Sequence, residues 1–293
     1  MRTDKSRKRF VFLCVAPATI LFFLFMILPT LNVFRMSLYE RGAYSPNETF
    51  VGLKNFQHLL KDTQFIRSMQ NMILLVVVVT IVTFAFALVF AAILTREKIK
   101  GQNFFRVIFY IPNILSVVVI SGIFSAIYKP ENGMLNSIIG LFRDMTDPIL
   151  WKGEKLVIPS IILAMVWQAV GYYMVMYMAS MSSVPASLYE SATLDGAGFF
   201  QKVRFITVPG IRAIIAPAAV MTTFITFKQF DIVYLLTQQK GYMTGANLNT
   251  VITYAYQNAF VSNNYGLSSA VSMLLFVLII LFSLATNRSL REE

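Results

Sequence analysis

Residues Met72–Leu94 read MILLVVVVTIVTFAFALVFAAIL, a run that contains no charged side chain. A helix needs about 20 apolar residues to cross the roughly 30 Å hydrocarbon layer of a bilayer. Backbone polar groups inside that layer must bond to one another, which favours a helix, whereas a spanning β-strand would alternate apolar and polar residues. This run does not alternate, and it therefore predicts a membrane-spanning α-helix.

The composition of the whole chain also indicates a membrane protein. Of its 293 residues, 57% are hydrophobic and 13% are charged, against about 25% charged residues in a typical soluble domain. The mean hydropathy is +0.65. The formal net charge of +11 would suit a nucleic-acid binder, but the cations flank apolar segments and form no continuous stripe. The chain is therefore predicted to expose much of its surface to lipid and to bind no nucleic acid.

The chain contains one cysteine, Cys14, and one histidine, His58. A single cysteine excludes a disulfide within the chain, and inside an apolar run it is expected to pack as a small hydrophobic residue. A metal site needs several ligands, and no second histidine exists to join the first. The sequence therefore predicts no metal centre.

Six apolar segments are long enough to cross a bilayer. Basic residues precede the first of them, as in a secretory signal, but the segment is too long for a typical signal core and no small-residue cleavage site follows. It is therefore predicted to be an uncleaved span and counts as one of the six. The predicted fold class is all-α integral membrane with six transmembrane helices. The segments are Phe10–Met36, Met72–Leu94, Val107–Tyr128, Leu156–Met181, Ile211–Leu236 and Gly266–Ala285.

The distribution of lysine and arginine predicts the orientation, because cytoplasmic loops carry an excess of cations. With six crossings, the N-terminus, the loops after the second and fourth spans and the C-terminus fall on one side. Acidic residues balance the cations of the opposite loops. Both termini are therefore predicted to be cytoplasmic. The cations on that side are Arg2, Lys5, Arg7, Lys8, Arg9, Arg96, Lys98, Lys100, Arg106, Lys202, Arg204, Arg212, Arg288 and Arg291.

One cytoplasmic stretch, ESATLDGAGFFQKVRFITVP, runs from Glu190 to Pro209 between two apolar segments. The residues before its Asp-Gly pair can form a short helix, and Gly196 and Gly198 permit a sharp bend. The segment FFQKVRFI can form a second short helix, after which Pro209 begins the next span. A free loop needs none of these features. The stretch therefore predicts a compact helix–turn–helix that docks on a partner.

This stretch resembles the EAA loop of ABC importer permeases, the binding-protein-dependent inner membrane components. The chain departs from the family pattern at Ser191, where alanine is usual, and at Val203, where carbohydrate-type members usually carry phenylalanine. The segments FVGLKNFQHLL, FDIVYLLT and TVITYAYQNAFVSNNYGLSSAVSMLLF resemble other parts of carbohydrate-uptake permeases. The residues that match the loop pattern are Glu190, Ala192, Asp195, Gly196, Ala197, Ile206 and Pro209.

The resemblance implies a type I ABC importer permease fold with a cytoplasmic coupling helix. It divides the chain into 1–69, with the N-terminal tail, first span and first external loop, a permease core at 70–287, and a cytoplasmic tail at 288–293. The core holds five helices and the EAA coupling loop at 183–209.

In the coupling loop, the resemblance implies a role for each matching residue. Glu190 is expected to meet a cation of the ATPase, and Asp195 with Gly196 to shape the bend. Ala192 and Ala197 are expected to permit close approach. Movement of the ATPase would then move the spans.

The resemblance also implies partners and a location. The partners are a second homologous permease in a heterodimer, an ATPase dimer, an extracellular solute-binding protein, a carbohydrate substrate and membrane lipid. The location is the inner membrane of a bacterial or archaeal cell. No G-x-x-x-x-G-K-[ST] phosphate loop occurs in the sequence, so ATP and Mg are expected in the partner ATPase, with no cofactor and no catalytic residue in this chain. The external loops 37–70 and 129–155 either dock the binding protein or are merely solvated.

Polar residues within spans are costly and usually face a cavity or a partner. Lys228 and Asp231 are three apart and could share a helical face, either as a structural ion pair or near a substrate, with Gln229 beside them. In the fourth span, Trp167, Gln168 and Tyr172 are candidate sugar contacts, because rings stack on sugars and amides bond hydroxyls. Tryptophan and tyrosine also collect at membrane interfaces, which is the alternative for these rings.

The leading hypothesis is a permease subunit for a sugar or oligosaccharide. The alternative is a permease of the same superfamily for a polyol, glycerol phosphate or amino acid. A membrane enzyme is disfavoured, because the sequence has no H-E-x-x-H or G-x-S-x-G motif and no paired carboxylates on one span. A secondary transporter is disfavoured by the lack of a clear internal repeat.

Overall fold

A computed structural model describes residues 2–41, 48–96, 101–143, 147–237 and 249–291. The predicted cations Lys98 and Lys100 lie outside the described residues. The described part is almost entirely helical, with one short antiparallel pair of strands in which Tyr39 faces Phe50. The elements before the fourth span are α1 (Arg2–Phe22), a π-helical turn (Phe23–Ile27), α2 (Leu28–Met36), β1 (Tyr39–Glu40), β2 (Thr49–Phe50), α3 (Lys54–Lys61), α4 (Thr63–Arg96), α5 (Gln102–Ile114), α6 (Val117–Ile127) and α7 (Met134–Gly140).

The remaining elements begin with α8, a helix of 25 residues. The chain then passes through several short helices before a long final helix. These elements are α8 (Val157–Met181), α9 (Ala186–Leu194), α10 (Phe199–Lys202), a π-helical turn (Val203–Thr207), α11 (Val208–Gly210), α12 (Arg212–Phe227), α13 (Asp231–Thr237), α14 (Val251–Phe260) and α15 (Tyr265–Arg291).

Within the described residues, four helices are long and apolar enough to cross a membrane, or up to six spans if each of two bent helix pairs counts as one, by length and composition. The all-α membrane class predicted from the sequence is therefore confirmed. The four are Ser6–Met36, Thr63–Thr95, Val157–Met181 and Tyr265–Thr286. The pairs are Gln102–Ile114 with Val117–Ile127, bent by 100°, and Phe199–Gly210 with Arg212–Phe227, bent by 81°.

The predicted span Val107–Tyr128 is interrupted, because it is made of two helices that meet at a sharp bend. Pro112 lies in the last turn of α5, where it can donate no backbone hydrogen bond, and Leu115 and Ser116 are extended. The Ser116 hydroxyl then accepts a hydrogen bond from the backbone N–H of Val119 at 3.4 Å, which starts α6 in a new direction.

The predicted span Ile211–Leu236 is interrupted as well. α12 ends at Phe227, and the chain leaves the helix before α13 begins at Asp231. Both breaks occur within segments that are apolar enough for a span, so hydropathy alone does not reveal them.

The described residues form two compact units, one within Met1–Ile66 and Tyr254–Val277, and the other within Arg67–Thr253 and Leu278–Glu293. In the first unit, the Asn55 side chain donates to the carbonyls of Ser37 and Tyr39 at 2.9 and 3.1 Å, which fixes the start of the strand pair. The three-part division at 69 and 287 stays a prediction.

Asp62 joins three segments of the first unit. One of its oxygens accepts from the backbone N–H groups of Gln64 and Phe65 at the start of α4, and the other accepts from the Tyr254 hydroxyl of α14. Partial burial alone would raise the pKa of Asp62, but these hydrogen bonds, together with nearby His58, outweigh burial and lower the pKa. Burial and the Asp62 carboxylate raise the pKa of Tyr254.

The second unit is built around α8, which has buried residues along its whole length. One buried cluster surrounds Ile161 on this helix and includes Ile120 and Val233, and another surrounds Met174 and includes Ala91 and Ile211. Helices in lipid associate by close packing, which favours small residues at contacts. Gly171 is such a residue, because a Cβ there would collide with the backbone carbonyl of Phe109 in α5.

Candidate functional site

The segment between α9 and α10 forms a tight turn. The N–H groups of Gly196 and Ala197 donate to the carbonyls of Thr193 and Ala192 at 3.1 and 2.8 Å, which closes the end of α9. Gly196 has φ +77°, a left-handed conformation that glycine adopts without strain. The Gln201 side chain accepts from the N–H of Gly198 at 2.7 Å and starts α10. Two short helices therefore meet at the Asp-Gly pair.

The predicted coupling residues are arranged so that the charged ones reach solvent. Glu190, Asp195 and Gly196 are exposed, whereas Ala192 and Ala197 are half-buried. The two carboxylates are thus available to a partner, whereas the two alanines are partly covered.

Large apolar side chains share this surface with the carboxylates. Leu194 is 89% exposed, Phe200 is 75% exposed and Phe205 is 69% exposed. Exposed apolar groups of this kind mark a surface that contacts a protein partner or the membrane. These residues were not among the predicted contacts, although their position within or beside the matching loop could have indicated them.

A groove of about 420 Å³ lies behind the turn. Its walls come from the start of α9, the π-helical turn and the end of α11. Its lining is formed by Ser183, Val184, Pro185, Leu188, Phe205, Ile206, Pro209 and Gly210.

A separate cavity of about 310 Å³ lies among the membrane helices of the second unit. It is found where the α5–α6 pair breaks and where α12 ends, so that both interruptions contribute to its wall. Discontinuous helices supply unpaired backbone groups as well as side chains to transporter sites. The lining residues are Val79, Asn113, Val117, Met165, Gln168, Ala169, Tyr172, Tyr173, Met221, Thr222, Ile225, Thr226 and Gln229.

The cavity brings together three of the six predicted substrate contacts. Gln168 and Tyr172 reach it from α8, and Gln229 reaches it from the break after α12. Asn113, at the other break, lines it as well. Sequence reasoning missed Thr222 and Thr226, although their spacing of four residues, continued at Gln229, places them on one side of the chain.

The other three predicted contacts lie outside the cavity lining. Trp167 is 39% exposed and packs edge-on against Phe124, with ring centres 5.5 Å apart. The Lys228 ammonium lies 4.8 Å from the centre of the Phe224 ring, and Asp231 is exposed in the first turn of α13. Lys228 and Asp231 do not share one helical face, because α12 ends at Phe227, before Lys228, and α13 begins only at Asp231.

The cavity lining carries no charged side chain among the described residues. Its polar groups are two glutamine amides, one asparagine amide, threonine hydroxyls and tyrosine hydroxyls. Such groups both donate and accept hydrogen bonds. The arrangement can therefore bind an uncharged solute that is rich in hydroxyl groups.

Membrane helices with broken segments around a polar cavity, together with an exposed helix–turn–helix, are typical of a subunit of a transport system. Residues 86–291 match the family model of the binding-protein-dependent transport system inner membrane component, and the chain belongs to that family. The predicted family, fold and EAA loop are therefore confirmed.

Relatives cover almost the whole chain. It is 33% identical to the probable ABC transporter permease protein YurN of Bacillus subtilis, over 93% of each chain. It is 28% identical to the trehalose/maltose transport system permease protein MalF of Thermococcus litoralis, over 93% of this chain and 90% of the relative.

A solved structure has the same fold. The matched chain comes from a bacterial ABC transporter involved in the import of the acidic polysaccharide alginate, with a TM-score of 0.84, 24% identity and coverage of 99% of both chains. Because the family consists of inner membrane transport components that depend on a binding protein, this chain is a membrane transport subunit and not an enzyme, as predicted.

Proposed function

We propose that this chain is one of two homologous permease subunits of an ATP-driven importer, and that its solute is a neutral oligosaccharide. The observation that carries the proposal is the uncharged polar cavity at the two helix breaks. Separate ATPase subunits bind ATP and Mg, an external binding protein delivers the solute, and both termini are cytoplasmic.

The chemistry of the cavity supports a saccharide. Sugar hydroxyls donate and accept hydrogen bonds, and amides such as those of Gln168 and Gln229 can satisfy both roles. The cavity also exposes more apolar than polar surface, including Met165 and the rings of Tyr172 and Tyr173, against which the apolar face of a sugar ring can pack. The name of the Thermococcus relative, a trehalose/maltose permease, agrees with this class of solute.

The same cavity disfavours a phosphorylated or acidic solute. Phosphate and carboxylate groups are usually held by arginine or lysine, and the described lining contains neither. The nearest candidate in the sequence, Lys228, packs on Phe224 and is absent from the lining. Glycerol phosphate and acidic polysaccharides are therefore the less favoured substrates of this half of the pathway.

The turn after α9 supports coupling to a separate ATPase. Glu190 and Asp195 are exposed beside Leu194 and Phe200, which gives the turn both charge and apolar surface. An ATPase cleft with a cation and an apolar wall would complement this surface.

Uptake of labelled solutes tests the proposal in cells that produce the complete transporter with its binding protein. We expect ATP-dependent uptake of a neutral disaccharide or oligosaccharide, and no uptake of glycerol 3-phosphate or of a uronic-acid oligosaccharide. Binding of each solute to the isolated binding protein is measured in parallel, so that rejection by that protein is distinguished from rejection by the cavity. Equal transport of a neutral and a charged solute would contradict the proposal.

A further inference from the structure

Tyr189 immediately precedes the exposed Glu190 but points the opposite way. Its side chain is 9% exposed, and its hydroxyl lies 2.9 Å from the hydroxyl of Thr207, which is 1% exposed. The two residues belong to different segments, α9 and the π-helical turn that leads into α11. We infer that Tyr189 and Thr207 form a buried pin that makes α9 and the 199–210 segment move as one body.

The π-helical turn explains why Thr207 is available for this contact. Its hydroxyl also lies 3.4 Å from the carbonyl of Lys202, five residues earlier, within the widened turn. A π-turn is a costly local irregularity that frequently marks a functional position. Here it brings the Thr207 hydroxyl to the side that faces α9.

A second contact between the same two segments supports the inference. A Cβ added to Gly210 would lie 2.7 Å from Cγ2 of Val184, so the entry to α9 packs directly on the end of α11. Val184 and Tyr189 belong to one buried cluster that also contains Met181 and Ile211. With a single contact, α9 could still rotate on the 199–210 segment about that contact. Two contacts at separate positions prevent this rotation.

The pin matters because the chain bends by 81° where α12 begins. Ile211 lies at this bend and is completely buried. A partner that pushes on Glu190 of α9 can move α12 through this packing only if α9 does not slide on the 199–210 segment. Tyr189 and Thr207 are therefore positioning residues for coupling, and this inference rests on the proposed ATPase contact.

Reconstituted complete transporter tests the pin through the amount of sugar imported per ATP hydrolysed. Tyr189→Phe removes the hydroxyl and keeps the ring. We expect about a fivefold fall in sugar per ATP, the change expected for one buried hydrogen bond, while ATP hydrolysis continues. Thr207→Val should behave alike, and Thr207→Ser, which keeps the hydroxyl, should remain coupled. The double variant Tyr189→Phe/Thr207→Val should lose no more than either single variant.

Thr193→Val is the matched control, because the Thr193 hydroxyl bonds only within α9, to the carbonyl of Tyr189. It should leave sugar per ATP unchanged. If Tyr189→Phe does not reach the membrane, the comparison of Thr207→Val with Thr207→Ser decides the matter. Equal coupling in wild type, Tyr189→Phe and Thr207→Val would overturn the pin and leave the proposed function standing. Absence of ATP-dependent uptake in the wild type would overturn both.

Discussion

The turn after α9 and the cavity beside Gln168 have opposite chemistry. The turn exposes Glu190 and Asp195 together with Leu194 and Phe200, whereas the cavity is sheltered and has no charged side chain in its described lining. Charge at an exposed surface assists recognition of a protein partner, because complementary charges steer the encounter and fix its register. Uncharged amides and hydroxyls suit a passing solute, which must be released as well as bound.

The largest effect is expected from a substitution that disrupts the partner contact of the turn and leaves the cavity unchanged. Glu190→Lys should lower sugar uptake by at least about tenfold, because inverting a charge at a protein contact costs several kcal/mol. Uptake is measured at equal membrane abundance, and Asp4→Lys, the same charge inversion in the N-terminal tail, outside the turn and the external loops, is the control. Undiminished uptake by Glu190→Lys would remove the role assigned to the turn.

The second effect concerns the helix packing beside the cavity. Gly171→Ala should destabilise the protein by about 1–3 kcal/mol, since its Cβ would collide with the rigid carbonyl of Phe109. Thermal unfolding in detergent measures this change. Gly122→Ala, in α6, meets no atom within 4 Å and should unfold like the wild type. Equal stability of the two variants would mean that α5 and α8 do not approach closely.

A smaller effect distinguishes two neighbouring residues of α8. Gln168→Ala should raise the KM for sugar uptake by about fivefold, the change expected from one lost hydrogen bond. Trp167→Ala should change it little, because Trp167 packs outside the cavity lining. The reverse order would show that the sugar passes along the other side of α8.

The smallest effect concerns Asp62. Unlike the exposed Glu190, this carboxylate is held by hydrogen bonds within the fold, and it lies outside the uncharged cavity lining. Because the folded state lowers its pKa, the carboxylate stabilises the fold above the ordinary value of 3.8, and this contribution is lost as the pH falls through the lowered value. Tyr254→Phe removes one cause of the lowered pKa. Acid unfolding followed by circular dichroism should then begin at a slightly higher pH. An unchanged acid transition would contradict the role of the Tyr254 hydrogen bond.

The sequence predicted the turn more completely than the cavity, for a physical reason. The turn is local: Gly196, Gly198 and the helix-forming segments on each side lie within one stretch, so that short-range conformational preferences determine it. Tyr189 was missed even there, because its burial depends on Thr207 and the packed core behind α9.

The cavity requires several helices to come together, and its lining lies between Val79 and Gln229. Hydropathy predicted the spans, but it did not predict the breaks at Ser116 and after Phe227, where capping and backbone geometry override an apolar composition. Trp167 and Gln168 are adjacent in sequence and differ in whether they line the cavity. Residue type alone did not predict that difference.

The uncharged cavity has an energetic consequence for import. Moving a neutral sugar past side chains that carry no charge transfers no electrical charge across the bilayer, so the membrane voltage performs no work on this step. Accumulation of the solute must then draw on a chemical fuel. The rate of uptake should accordingly be the same in polarised and depolarised vesicles.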